Sequence, residues 1–151
     1  MRSLIQLLTM VGAVYLAAVP SSLAQDKAAV LTGKASVVDG DGIAFGEVEV
    51  RLQGIAAPEL SEAMGPESFQ ALQKIVEGQE VVCDLDGTVA NRRPVGICFV
   101  GMIEIGKAQV LTGMARDCPH YSKGRYREDE METRKTALDL SAEYELPGYC
   151  K

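Results

Sequence analysis

The sequence predicts a mainly β, α+β fold, an OB-type five-stranded barrel carrying three helices. Three observations predict it. Short apolar runs alternate with polar residues between turn signals, as half-buried strands require. One helical stripe interrupts the strands after the third, and two helical stretches follow the fifth. Hydrophobic residues make up 47% of the 151 and charged residues 24%, which suits one folded domain and excludes a disordered chain.

Residues 1–24 read as a secretory signal, outside the fold. Arg2 supplies a basic start, Leu4–Ala18 is mostly apolar, and Ser22-Leu23-Ala24 offers small residues for cleavage before Gln25. That apolar stretch is short beside the roughly 20 residues of a bilayer-spanning helix. The expected mature domain is therefore 25–151, periplasmic or secreted, with no membrane attachment after cleavage.

Thr32–Val38 reads as the first strand, and Asp39-Gly40-Asp41-Gly42 as a turn. Ile43–Phe45 and Val48–Leu52 follow as strands. In the latter, Val48, Val50 and Leu52 face the core while Glu49, Arg51 and Gln53 face away. Gly54–Gly65 is a loop. Pro66–Val76 is a helix with Phe69, Leu72 and Ile75/Val76 as its stripe, ended by Gly78. Glu80–Leu85 and Pro94–Val100 are strands joined by a polar loop, Asp86–Arg93. Ile105–Thr112 is a short helix stopped at Gly113. After a loop, Cys118–Gly124, a charged helix runs from Arg125 to Tyr144, with Glu130 and Arg134 spaced to pair.

The four cysteines all follow the signal. An even count in an oxidising compartment predicts two disulfides, and no CxxC pair suggests zinc. Of the three possible pairings, Cys83–Cys98 is favoured because both lie on consecutive strands. Cys118–Cys150 would then pin the C-terminal tail.

Val37-Val38-Asp39-Gly40-Asp41 and Arg51-Leu52-Gln53-Gly54-Ile55-Ala56-Ala57-Pro58-Glu59 resemble the staphylococcal nuclease (thermonuclease) family. The likeness continues through Arg93, Gly113-Met114-Ala115-Arg116 and Tyr121-Ser122-Lys123-Gly124-Arg125-Tyr126, and so covers about Gly33 to Leu138. The resemblance implies an OB-type barrel with three helices and Ca²⁺-dependent hydrolysis of DNA and RNA phosphodiesters. It makes Asp41 a metal ligand, Glu59 the group beside the attacking water, and Arg51 and Arg93 the clamp on the phosphate. Tyr121 matches a nucleotide-contacting aromatic approximately.

The departures are as informative. The family's second metal aspartate falls on Ala56, and the threonines that follow the two aspartates fall on Ala57 and Gly42. A tyrosine before the second arginine is replaced by Asn91. Carboxylate count sets much of calcium affinity, so the implied Ca²⁺ site is weak or absent unless Asp39 compensates. Arg116, Lys123, Arg125 and Arg127 are interleaved with Tyr121 and Tyr126, a pattern suited to single-stranded nucleic acid, with Lys123 and Arg125 as binding candidates. His120 has no triad partners nearby. The overall charge of −6 excludes a generic nucleic-acid-coating protein. Two functions are thus expected: a weakened exported nuclease, or a non-catalytic OB-type module binding an oligonucleotide or a protein partner. Either would act as a monomer.

Overall fold

The computed structural model describes residues 29–136 and 140–151; the signal-like segment 1–24 lies outside them. The strands are β1 (Val30–Gly33), β2 (Ser36–Asp39), β3 (Gly42–Phe45), β4 (Val48–Leu52), β5 (Ile55–Ala56), β6 (Val81–Ala90), β7 (Arg93–Val100), β8 (Ile103–Glu104) and β9 (Arg116–Asp117). The α-helices are α1 (Gly65–Val76), α2 (Ile105–Leu111), α3 (Pro119–Ser122) and α4 (Arg127–Thr136). Two 3₁₀ turns, Leu140–Ala142 and Gly148–Cys150, close the chain.

The fold is α+β, as expected, but it is built on one large sheet that is not the expected closed five-stranded barrel. Its order is β1-β6-β7-β4-β3-β2, with β8 on β7, and β5 pairs separately with β9. The expected first strand, Thr32–Val38, is two strands. β1 pairs with β6 and β2 with β3, so the chain changes partner at Lys34-Ala35 and supplies both edges of the sheet. No ladder joins those edges among the described residues.

The expected loop Asp86–Arg93 is mostly strand. β6 and β7 form one long hairpin that turns at Asn91-Arg92, both at positive φ, with a register shift between Leu85 and Val89. Asn tolerates that conformation, and consecutive positive φ values match the twist of a two-residue hairpin. Asp86-Gly87-Thr88 therefore marks the irregularity within the strand and not its end.

The expected helix Arg125–Tyr144 is shorter. α4 ends at Thr136, the expected stretch 137–139 lies outside the described residues, and Leu140–Ala142 is a 3₁₀ turn. Charged residues surround α4, with Thr133 its buried residue, so little apolar surface favours extending it. The expected Glu130–Arg134 pair is present at 2.6 Å.

The main core lies between the sheet and the helices. Ile43, Val50, Leu52, Leu72, Val81 and Val110 are fully buried or nearly so. Val50 and Leu52 face inward as alternation predicts, whereas Val48 is exposed. On α1 the buried positions are Gly65, Ser68, Leu72 and Val76, steps of three and four residues that put Ser68 where Phe69 was expected.

Both expected disulfides are present. Cys83 and Cys98 face each other in the β6–β7 register, and Cys118 is bonded to Cys150. Each bridge contributes about 2–4 kcal/mol, chiefly by restricting the unfolded chain. No described helix is long and apolar enough to cross a membrane.

Tyr126, expected among the nucleic-acid-facing residues, is instead core. Its hydroxyl donates to Glu104 and, at 3.3 Å, to the Gln53 carbonyl. Burial, then the bond to Glu104, raises its pKa. Burial and the neighbouring Tyr149 raise that of Tyr144. The unfolded chain releases these protons near pH ~10 while the folded one retains them. Stability is therefore complete below that pH and falls as pH rises through it. A urea midpoint should be flat to about pH 9 and decline above about pH 10, less steeply in Tyr126→Phe. A midpoint indifferent to alkali would contradict this assignment.

Candidate phosphate site

Sheet register builds the centre of the site. In the β3–β4 ladder Gly42 stands opposite Arg51, and in the parallel β4–β7 ladder Arg51 stands opposite Val95. Arg93, two residues before Val95, shares its face. The Asp-rich turn and both arginines thus meet at one end of the sheet.

Four charges are brought together there. The Arg51 guanidinium forms an ion pair with the Asp41 carboxylate. It also donates to the carbonyls of Asp41 (3.2 Å) and Ile55 (3.0 Å). The second Asp41 oxygen accepts from the Ala57 N–H at 2.9 Å. Asp39 accepts from the Asp41 N–H at 3.1 Å and lies 3.6 Å from Arg93. Burial lowers the Arg51 pKa, with Tyr149 and Asp39 acting against it and Arg93 adding to it.

The turn is fixed from behind. Gln109 of α2, fully buried, donates to the carbonyls of Gly40 (3.2 Å) and Ser68 (2.9 Å). A Cβ at Gly40 would run into Ser68 and Ala57, so glycine alone lets the turn sit against α1.

Glu59 stands in the loop before α1, exposed, with no side-chain partner among the described residues. Its carbonyl crowds Gly65, where any Cβ would collide with it. Glu59 lies two residues after Ala57, whose N–H is bonded to Asp41, so its loop adjoins the charged centre.

The remaining candidates divide. Tyr121 is half-exposed on α3, and its carbonyl accepts from Gln53 at 3.2 Å, which docks α3 at the end of β4. Lys123 donates to the His120 carbonyl at 2.7 Å. Arg125 lies 3.6 Å from Glu104 and 6.0 Å from the Tyr126 ring. Lys123 and Arg125 line a separate polar groove with Lys107, Arg127, Glu128 and Asp129, a groove whose walls include none of Arg51, Glu59 and Arg93. Arg116 faces inward to Glu130 (2.9 Å) and the Tyr144 carbonyl (3.0 Å), so it braces the C-terminal segment.

Ala56 explains much of the site. It is fully buried in a second apolar cluster with Cys118, Leu140, Tyr144 and Cys150. The position that the resemblance assigns to a metal carboxylate thus lies beneath the disulfide-pinned tail. Both oxygens of Asp39 and of Asp41 already have partners, and no group of three or more His, Cys, Asp or Glu suited to a metal occurs among the described residues.

Tyr144 and Tyr149 were not among the expected site residues. The Cys118–Cys150 pairing was their one signal, since it brings the last residues against the Cys118–Tyr121 segment.

No family model and no curated protein matches the chain.

Proposed function

We propose that the chain is an exported, staphylococcal nuclease-like module with an OB-type rolled sheet that binds the phosphate of a nucleic acid strand or nucleotide. Arg93 is the principal contact in this reading. A guanidinium has five N–H donors, and the Arg93 side chain, 20% exposed, makes one long contact to Asp39 among the described residues, which leaves donors for phosphate oxygens. Arg51 is tied to Asp41 and two carbonyls, so it mainly holds the loop in shape and adds positive potential. The observation that carries the reading is this pair of guanidiniums, each matched by one aspartate. With its charges balanced, the site favours weak, salt-sensitive binding that needs no metal.

The OB-type assignment is supported by the chain path, in which β1 and β2 are consecutive yet occupy opposite edges. Export is supported by two disulfides, which persist in oxidising compartments.

A second reading, weak hydrolysis, is favoured by Glu59, whose exposed carboxylate stands in the loop that Ala57 ties to Asp41 and has the chemistry to accept a proton from water. One experiment separates the two. The protein is titrated calorimetrically with a single-stranded oligonucleotide, with calcium and with chelator, and cleavage is followed in parallel. The binding reading expects affinity that survives chelation, weakens with salt and drops about tenfold or more in Arg93→Ala. Chelator-sensitive cleavage lost in Glu59→Gln would establish the hydrolytic reading. Binding unchanged by Arg93→Ala would overturn the site.

A further inference from the structure

Three contacts hold α2 and α4 side by side. Arg125 lies 3.6 Å from Glu104, Lys107 lies 3.2 Å from Asp129, and the Thr133 hydroxyl donates to the Val110 carbonyl at 3.3 Å. The two helices therefore run in the same direction. At their leading ends lies a groove of about 320 Å³, with Lys107, Lys123, Arg125 and Arg127 in its walls against Glu128 and Asp129. This local excess of positive charge stands in a chain whose net charge is −6. Little of it is neutralised. Asp129 serves Lys107, and Arg125 has one long contact to a Glu104 carboxylate that the Tyr126 hydroxyl also engages. Lys123 donates to the His120 carbonyl, which carries no full charge. The exposed Arg127 side chain has no partner among the described residues.

Stability does not account for these positions. A helix N-terminus carries partial positive charge, so Arg125 and Arg127 sit where α4 disfavours a cation. Lys123 ends α3 in a left-handed conformation at φ 57°, where glycine costs least, and Gly124 follows at φ 81°. That turn brings Lys123, Arg125 and Arg127 to one groove. We propose that the groove is a second anion site, which takes a multiply charged phosphate-type anion, free or carried on a larger molecule, and acts independently of Arg93 and Arg51. Arg125 and Arg127 offer planar pairs of N–H donors to the oxygens, and the two ammonium groups add charge without fixed direction. Four cations against two carboxylates leave an excess of two positive charges, which favours an anion of two or more charges over chloride. The site stands whether or not Arg93 binds phosphate.

Inorganic pyrophosphate and a single-stranded oligonucleotide are the probes, titrated into the oxidised protein in chloride buffer. The Gly124 amide, followed by NMR, reports the groove itself. Pyrophosphate should shift that amide, and the midpoint should rise about tenfold in Arg127→Gln. Arg93→Ala should leave the Gly124 midpoint unchanged. So should Lys74→Gln, which removes one exposed positive charge from α1. Lys123→Gly should weaken pyrophosphate binding in calorimetry without lowering the urea midpoint, because glycine suits the left-handed position. The oligonucleotide identifies the source of the phosphate. Weakening by both Arg127→Gln and Arg93→Ala assigns it to a strand that reaches both sites, and weakening by Arg93→Ala alone leaves the free anion as the ligand. Pyrophosphate that leaves the Gly124 amide unmoved, or that binds Arg127→Gln as tightly as the parent, would overturn the groove site. An equal loss in Lys74→Gln would do the same, since diffuse charge would then be the cause.

Discussion

Ala56→Asp is expected to destabilise the protein by about 3 kcal/mol or more and to gain no calcium site. By the family likeness, the same change restores a missing ligand and strengthens calcium binding. The structure reverses that expectation. Ala56 has no exposed surface and packs among Cys118, Leu140, Tyr144 and Cys150. A carboxylate there loses its hydration and finds sulfur and hydrocarbon. Arg116 stands opposite Ala56 in the β5–β9 ladder but is already held by Glu130 and the Tyr144 carbonyl. Burial would raise the pKa of the new carboxyl above its unfolded value. The deficit relative to the parent should then be smallest below about pH 4 and grow as pH rises. Thermal unfolding across that range, with calcium calorimetry at neutral pH, checks both halves. A variant that keeps the parent melting temperature at neutral pH and binds calcium would show that position 56 opens to the site.

The second large effect separates the two arginines. Arg51→Ala should cost roughly 2–4 kcal/mol of stability, because it strips Asp41, 6% exposed, of its charge partner and takes a donor from two carbonyls, of which that of Asp41 keeps the Leu52 N–H. Arg93→Ala should cost less, about 1–2 kcal/mol, because Asp39, 8% exposed, loses one long contact and keeps the Asp41 N–H. Binding should follow the opposite order per unit of folded protein, with Arg93→Ala the more damaging. Arg51→Lys keeps the charge but has no planar fork to reach Asp41 and both carbonyls at once, so it should recover only part of the stability. Urea unfolding of the three variants, with oligonucleotide titration of the folded fraction, reads both quantities. Equal stability losses at the two positions would mean that the Arg51 network does not hold the loop.

Much of this architecture follows from short-range rules. Alternation along Val48–Leu52 fixes which side of β4 carries Arg51, and steps of three and four residues give α1 its buried face. Placing Cys83 and Cys98 on consecutive strands favours pairing them, which would leave Cys118 for Cys150, and both bonds are present. Errors arise where a local signal has two physical meanings. Asp86-Gly87-Thr88 carries turn residues but sits at a register shift inside β6. The charged stretch after Arg125 has helix formers but no apolar stripe to hold the far end against the core.

The site depended on more than residue types. The sequence alone determined that two aspartates, two arginines and a glutamate exist at these spacings, and that one expected carboxylate is an alanine. It also favoured, among three pairings, the one that ties the tail to Cys118. Only the tertiary structure decided that each aspartate is engaged by an arginine, because that requires β3, β4 and β7 to be neighbours in a particular register. Likewise, the tail alone gives Ala56 an apolar surrounding and sets Tyr149 beside Tyr121. Periodicity and turn chemistry act over a few residues. Charge pairing and burial depend on what lies opposite in space, and here those partners come from segments up to about a hundred residues apart.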